Sequence, residues 1–214
     1  HIRQFLLDQF KQWTMPKFIR TDNGEPFGVP TRDVVPIMSL WLKAWGITPI
    51  LNRPRTPTDN AKVERGQGTT SRWAELSLCP NLEFLQHNLD EACRMQREKF
   101  PVLRLGNVTR TQLHQSLRED PRPFDSTKFN PRHAYDFLAE AKLPRKVCSS
   151  GTITLYGKVF SVGAKLKRQV MMIHFDADQL AWIVTEQNGT VCKTLPDERF
   201  SPIRLFNLTC QRTS

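Results

Sequence analysis

Two short segments hold residue types able to do chemistry. In the first, the strand-like Lys17-Phe18-Ile19-Arg20-Thr21 runs into Asp22-Asn23-Gly24. The second, Pro54-Arg55-Thr56-Pro57-Thr58-Asp59-Asn60-Ala61-Lys62-Val63-Glu64-Arg65, places Glu64 early in a helix. Carboxylates suit Mg2+, which prefers hard oxygen ligands in near-octahedral geometry and shares them with water and substrate phosphates. Two such ions about 3.5 to 4 Å apart can activate an attacking oxygen and stabilise a leaving one in an in-line displacement. Each acid also has a plainer reading. Asp-Asn-Gly is an ordinary turn, because Asp and Asn bond nearby backbone and Gly accepts positive φ; a lone helical Glu is commonly solvated surface.

The elements around these residues are legible from periodicity. Ile2, Phe5, Leu6, Phe10 and Trp13 fall at helical spacing and Pro16 follows, which predicts a helix ending near residue 14 and then a short strand over 17–21. Val34, Val35, Met38, Leu40, Trp41, Leu42 and Trp45 form a second helical pattern, closed by Gly46 at a position favouring a left-handed cap. Ile47 to Leu51 reads as a strand, and residues 52–59, with two prolines, as a loop feeding a helix from about Asn60. Asn60 is read as that helix's N-cap in preference to a site residue. Further helices are expected over 82–99 and 109–118, before Pro121, Pro123, Pro131 and Pro144 punctuate a connecting region. From about residue 147 the period changes to two, at Ile153 and Leu155, Phe160 and Val162, Val170 to Phe175, and Leu180, Trp182 and Val184. Turns at Tyr156-Gly157, Asp176-Ala177-Asp178 and Asn188-Gly189 favour a compact antiparallel barrel.

Taken together and in this order, the strand with Thr-Asp-Asn-Gly, the helix ending at Trp45-Gly46-Ile47, the Pro-rich loop and Asn60-Ala61-Lys62-Val63-Glu64-Arg65 resemble the catalytic domain of DDE-type transposases and retroviral-like integrases. That resemblance implies an α/β ribonuclease-H-like core fragment followed by a small all-β barrel. It makes Asp22 and Glu64, 42 positions apart, the second and third catalytic and metal-holding carboxylates of a site for two Mg2+ or Mn2+ ions. Asn60 is similar to the family's loop residue ahead of the Glu, the alternative to its capping role. Lys62, Arg65 and Arg72 would meet DNA phosphates beside Glu64, while Ser71 stands where many such proteins carry Lys or Arg. Gly66 and Gly68 leave that helix bare at about 1 kcal/mol each relative to Ala; close backbone approach of DNA and simple helix fraying with solvated charge both account for them.

Composition points to the same partner. The chain has 31 Lys and Arg against 21 Asp and Glu, a net +10, and a pI of about 9.7. Such charge favours a polyanion, although an anionic membrane surface or solubility would also suit it. Residues 145 to about 196 resemble the small barrel after the core in Mu-like and insertion-sequence transposases. Arg145, Lys146, Lys158, Lys165, Lys167, Arg168 and Lys193 are spread over it, and Lys165, Lys167 and Arg168 are the chief candidates for sequence-tolerant phosphate contacts, against the plainer reading of solubility. Tyr156, Phe160, Phe175 and Trp182 are expected to fill its core, and His174 to be structural. Five scattered cysteines without CxxC spacing suggest neither disulfides nor zinc, hence a reducing compartment. No apolar run is long enough to span a bilayer.

The expected organisation is a catalytic core over 1–100, a helical and Pro-rich connection over 101–144, a DNA-binding barrel over 145–205 and a tail over 206–214. The family pattern also has a strand ending in a first catalytic Asp ahead of the first helix, which this sequence lacks; Asp8, Asp33 and Asp59 are poorly placed to replace it. The chain is therefore expected to be inactive alone, while its intact parent cleaves and joins double-stranded DNA, element ends and target, as a homo-oligomer. The expected location is cytoplasmic, nucleoid-associated in a bacterium, with no membrane partner. A non-catalytic DNA-binding remnant of such an element and a structure-specific nuclease on the same fold are the competing readings.

Overall fold

In the computed structural model, residues 2–28, 34–53, 55–115 and 122–208 are described, Pro57 through its backbone alone. In chain order they form α1 (Ile2–Gln12), β1 (Phe18–Thr21), α2 (Ile37–Ala44), β2 (Thr48–Leu51), α3 (Ala61–Trp73), α4 (Leu82–Glu98) and α5 (Arg110–Leu113). There follow α6 (Pro131–Ala139), β3 (Leu143–Lys146), β4 (Thr152–Leu155), β5 (Lys158–Ser161), β6 (Val170–Asp176), β7 (Ala181–Thr185), β8 (Val191–Pro196) and α7 (Pro202–Asn207). By packing, the chain divides into two units. One comprises residues 1–5, 16–54 and 125–214, the other residues 6–15 and 55–124.

The first unit begins with a β-α-β turn of chain. β1 and β2 pair in parallel from Phe18 opposite Thr48 to Thr21 opposite Leu51, with α2 as the crossover. Seven of the eight residues of α2 are buried, because a crossover helix surrounded on several sides is apolar nearly all round. Gly46 ends it at φ 67°, with Ile47 N–H donating to Leu42 O and Gly46 N–H to Lys43 O, the paired bonds of a Schellman cap that the sequence had marked. Ile37, Leu40 and Ala44 share one core with Tyr135 and Leu138 of α6, with Ile153, Leu155, Ile173, Phe175 and Trp182 of the strands, and with Phe200 and Leu205. The boundary expected near residue 144 thus lies inside this unit.

The strands expected to close into a barrel form instead an open four-stranded antiparallel sheet, β3-β6-β7-β8, and a separate hairpin of β4 with β5. β3 carries Pro144, which cannot donate a ladder hydrogen bond and is accommodated where β3 pairs with β6 alone among the described residues. Among the described residues β8 pairs only with β7, and the register between them shifts between Val184 and Thr185 of β7, which face Lys193 and Val191. Phe160, Phe175 and Trp182 are buried in the core and Tyr156 packs against it, as their alternation predicts. His174 is half-buried on β6, opposite Ile183.

The second unit is helical. Trp73 and Phe100 meet edge to face at 5.2 Å, Gln96 Nε2 donates to Thr70 Oγ1 at 2.7 Å and Asn88 Nδ2 to Ala74 O at 3.2 Å, which joins α3 to α4. α5 opens with a capping box between Thr109 and Gln112. It is shorter than the helix expected over 109–118, of which residues 116–118 lie outside the described residues.

Candidate functional site

Asp22 stands one residue beyond the carboxyl end of β1, where a parallel sheet presents its loops to ligands. Its loop is fixed at several points. Asp22 Oδ1 accepts the N–H of Gly24 at 3.1 Å, Gly28 N–H donates to Gly24 O at 2.9 Å, and Ser39 Oγ on α2 donates to Phe27 O at 2.8 Å. Asn23 Nδ2 donates to Asn52 O at 3.0 Å, and Asn52 N–H to Thr21 O at 2.9 Å, so the loop is tied to the matching end of β2. Gly28 sits in tight quarters: a Cβ there would lie 2.9 Å from the movable end of Leu51, Cδ2, and 3.3 Å from Asn23 Cα. The result is an exposed carboxylate on a fixed frame.

Glu64 lies in the first turn of α3, in the second unit, and is exposed together with Lys62, Arg65 and Arg72. No residue of α3 is buried, and nothing lies within 4 Å of a Cβ built on Gly66 or Gly68. Among the described residues, their absence of side chains therefore serves no packing. Asn60 has helical φ and ψ and its side chain makes no capping hydrogen bond, contrary to the expected cap; its carbonyl oxygen accepts the N–H of Glu64 at 3.0 Å. An Asn already in the helical region cannot turn its side chain back onto the helix's first N–H groups as an extended residue does.

Asp22 and Glu64 belong to different units. Among the described residues, no three His, Cys, Asp or Glu side chains are grouped to hold a metal ion. The two exposed carboxylates have the hard-oxygen chemistry that Mg2+ or Mn2+ takes, but two acids do not complete the three-carboxylate site of the resemblance, and no chemical step follows from them through bound ions.

The basic candidates of the first unit separate into two sets. Lys165, Lys167 and Arg168 are exposed on the loop between β5 and β6. Arg168 N–H donates to Val147 O and Val147 N–H to Gln169 O, both at 2.9 Å, and Lys146 pairs with Val170, so Lys146 joins the same edge. The other cations are engaged by the protein: Lys158 Nζ lies 3.8 Å from Asp197 Oδ1 and over the Phe160 ring, Lys193 Nζ donates to Ser161 O, and Arg145 Nη1 to Pro144 O.

One cluster had no signal in the sequence beyond an Asp and an Arg two positions apart. Asp197, with no exposed surface, accepts Nε and Nη2 of Arg199 at 2.8 and 2.7 Å and Trp182 Nε1 at 3.0 Å. Arg199 also donates to Leu155 O and Tyr156 O at the tip of the β4–β5 hairpin. Burial opposes ionisation of this carboxyl more than any other single effect. The combined hydrogen bonds from Arg199 and Trp182 and the charges of Arg199 and Lys158 outweigh it and hold the pKa below the ordinary aspartate value. This is architecture, pinning the hairpin to the sheet.

Cys79, Cys93, Cys148 and Cys192 are free thiols, and Cys210 lies outside the described residues. Among the described residues, no helix is long and apolar enough to cross a membrane. Comparison of the chain with protein-family models and with curated proteins finds no match.

Proposed function

We propose that this chain is part of a DDE-type recombinase, a ribonuclease-H-like polynucleotidyl transferase that cleaves and joins double-stranded DNA with Mg2+ or Mn2+. The observation that carries the reading is the placement of Asp22, exposed just past the carboxyl end of a parallel strand on a loop that Asn23, Gly28, Ser39 and Asn52 hold in place. Glu64, exposed in the first turn of α3, supplies the second carboxylate, and Lys62, Arg65 and Arg72 offset phosphate charge beside it. The bare backbone at Gly66 and Gly68 lets a duplex approach α3 closely. Homo-oligomeric assembly on two DNA ends and an intracellular, DNA-associated location belong to the same proposal.

The test is Mn2+ binding by the whole chain on a DNA duplex, followed by the electron paramagnetic resonance of the free ion. Asp22→Ala and Glu64→Ala are each expected to weaken uptake while leaving circular dichroism unchanged. Uptake equal to wild type in both variants would remove the metal-dependent reading.

The exposed edge formed by Lys146, Lys165, Lys167 and Arg168 favours a second reading, a DNA-binding protein without catalysis. Binding that releases counterions from duplex DNA loses about 0.9 of its log–log salt slope for each phosphate contact removed. Lys165→Ala, Lys167→Ala and Arg168→Ala together are therefore expected to flatten the slope by roughly 2 to 3 in fluorescence anisotropy. Loss of this binding combined with Mn2+ uptake indifferent to Asp22 and Glu64 selects the second reading.

A further inference from the structure

Between α4 and α5 the chain makes a short loop whose backbone is pinned from end to end. Val102 and Val108 form an isolated antiparallel bridge, with Val102 N–H donating to Val108 O at 2.9 Å. Inside it, Leu105 N–H and Asn107 N–H both donate to Val102 O, at 2.9 and 3.1 Å, and Gly106 N–H donates to Leu103 O at 3.1 Å. The chain reverses through Gly106 at φ 82° and Asn107 at φ 59°, the residue types that enter the left-handed region at least cost. Behind the loop, Arg110 Nη1 donates to Gln96 O at 2.6 Å and Thr111 Oγ1 to Arg97 O at 3.0 Å, which ties α5 to the end of α4. On this fixed frame Leu103 is 85% exposed.

A lone exposed Leu is ordinary on a protein surface, but this one is surrounded by charge of a single sign. From Lys99 to Gln115 the sequence holds Lys99, Arg104 and Arg110 and no Asp or Glu. All three cations are exposed, and the preceding acid, Glu98, pairs with Arg94. The Val102–Val108 bridge brings Lys99 and Arg110 to the two feet of the loop, while Arg104 stands beside Leu103 at its tip. Phe100, the other exposed large apolar residue of the stretch apart from Leu113 in α5, meets Trp73 edge to face at 5.2 Å. The tip therefore presents one apolar side chain, too little for the apolar face that holds an element in a membrane surface. Nor does it have the charge-poor centre of a protein interface. A single Leu among cations is the composition of the wedges that part a base step from the minor groove, whose negative potential draws in Arg.

We infer that the loop from Val102 to Val108 is a wedge for duplex DNA: Leu103 enters between two base pairs from the minor groove, Arg104 lies in that groove, and Lys99 and Arg110 meet the flanking phosphates. Partial unstacking by an apolar wedge kinks a duplex by roughly 20 to 90°. Flexible pyrimidine–purine steps such as TA yield most easily, so the wedge selects sites by deformability and not by hydrogen bonds to base edges. It rests on the reading of the chain as a DNA-binding protein, but it needs neither Asp22, Glu64 nor a metal ion.

The experiment uses the whole chain, with chelator present, on a short duplex that has 2-aminopurine beside a central TA step and a dye at each end. Anisotropy reads binding, 2-aminopurine fluorescence reads unstacking, and energy transfer between the dyes reads the bend. Wild type is expected to raise the fluorescence and bring the ends together. Leu103→Ala is expected to bind with an unchanged salt slope and lose both signals, whereas Leu103→Met, which keeps a large apolar tip, retains them. Arg104→Ala is expected to flatten the log–log salt slope by about 0.9. Leu103 and Arg104 are exposed, and unchanged circular dichroism confirms that the variants fold. Duplex binding by wild type without unstacking, or unstacking by Leu103→Ala equal to wild type, would overturn the wedge and leave DNA binding standing. A chain that binds no duplex overturns both. Sedimentation with phosphatidylcholine vesicles containing phosphatidylserine, lost in Leu103→Ala and seen in place of DNA binding, would assign the loop to a membrane surface and overturn the wedge.

Discussion

Asp197 shows how a single residue can tie several elements together. A buried carboxylate survives only with its lone pairs occupied and its charge paired, and Arg199 does both while its remaining N–H groups hold the tip of the β4–β5 hairpin. Asp197→Asn leaves the Arg199 charge buried without its counterion, a loss expected to be about 3 to 5 kcal/mol from the breaking of a buried pair. The pH dependence has a definite sign. A carboxyl with a folded-state pKa below its unfolded value adds stability that is fully present above the unfolded value, 3.8 for an unperturbed Asp, and is lost as pH falls through the folded one. Asp125, bonded by the Thr127 hydroxyl and backbone N–H, and Asp176, bonded chiefly by the Gln179 N–H, are held low too and act in the same direction. Urea denaturation is thus expected to show wild-type stability declining below about pH 4, with a shallower decline in Asp197→Asn and the two curves converging in acid.

At the scale of elements, α3 is the informative case. None of its thirteen residues is fully buried, a Cβ on either glycine would meet no neighbour among the described residues, and two of its hydroxyls, Thr69 and Thr70, bond back to the carbonyls of Arg65 and Gly66. A helix built only to fold would gain from Ala at both glycines. Gly66→Ala and Gly68→Ala are each expected to stabilise the chain by about 1 kcal/mol, since no neighbour meets the added methyl. If the bare face exists to admit a duplex, the double variant will melt at higher temperature and bind DNA more weakly. Thermal melting and anisotropy on the same sample read both, and stabilisation with unchanged DNA affinity would leave the glycines without that purpose.

On the scale of the whole molecule, the two units differ in how much they bury. The first has one continuous core from Ile37 to Leu205, whereas the buried apolar side chains of the second are few, among them Leu7, Phe10, Met15, Ala74 and Ala92. Local opening is easiest where fewest apolar contacts must break. Amides of α3 and α4 are therefore expected to exchange with deuterium faster than those of β6 and β7 in the native protein; equal protection throughout would mean that the chain opens as one cooperative unit.

What the sequence by itself determined is mostly short-range. Gly46 as a left-handed cap, Phe18 to Thr21 as a strand ending at Asp22, a helix beginning just after Asn60 and the alternation that buries Phe175 and Trp182 all depend on turn chemistry and side-chain period over a few residues, and all are present. The identity of Asp22 and Glu64 as candidates came from motif order, which says nothing about where either carboxylate lies in space. Tertiary structure decided what those local rules leave open. It joined α2 to strands that follow more than a hundred residues later, left the strands as an open sheet with a detached hairpin, gathered Lys146 with Lys165, Lys167 and Arg168 at one edge, and buried Asp197 against Arg199 and Trp182. The physical reason is common to all four. Dihedral preference and capping act between neighbours in the chain, whereas core sharing, sheet closure and charge pairing depend on side-chain shape and charge meeting across long loops, where a one-residue pattern carries no address.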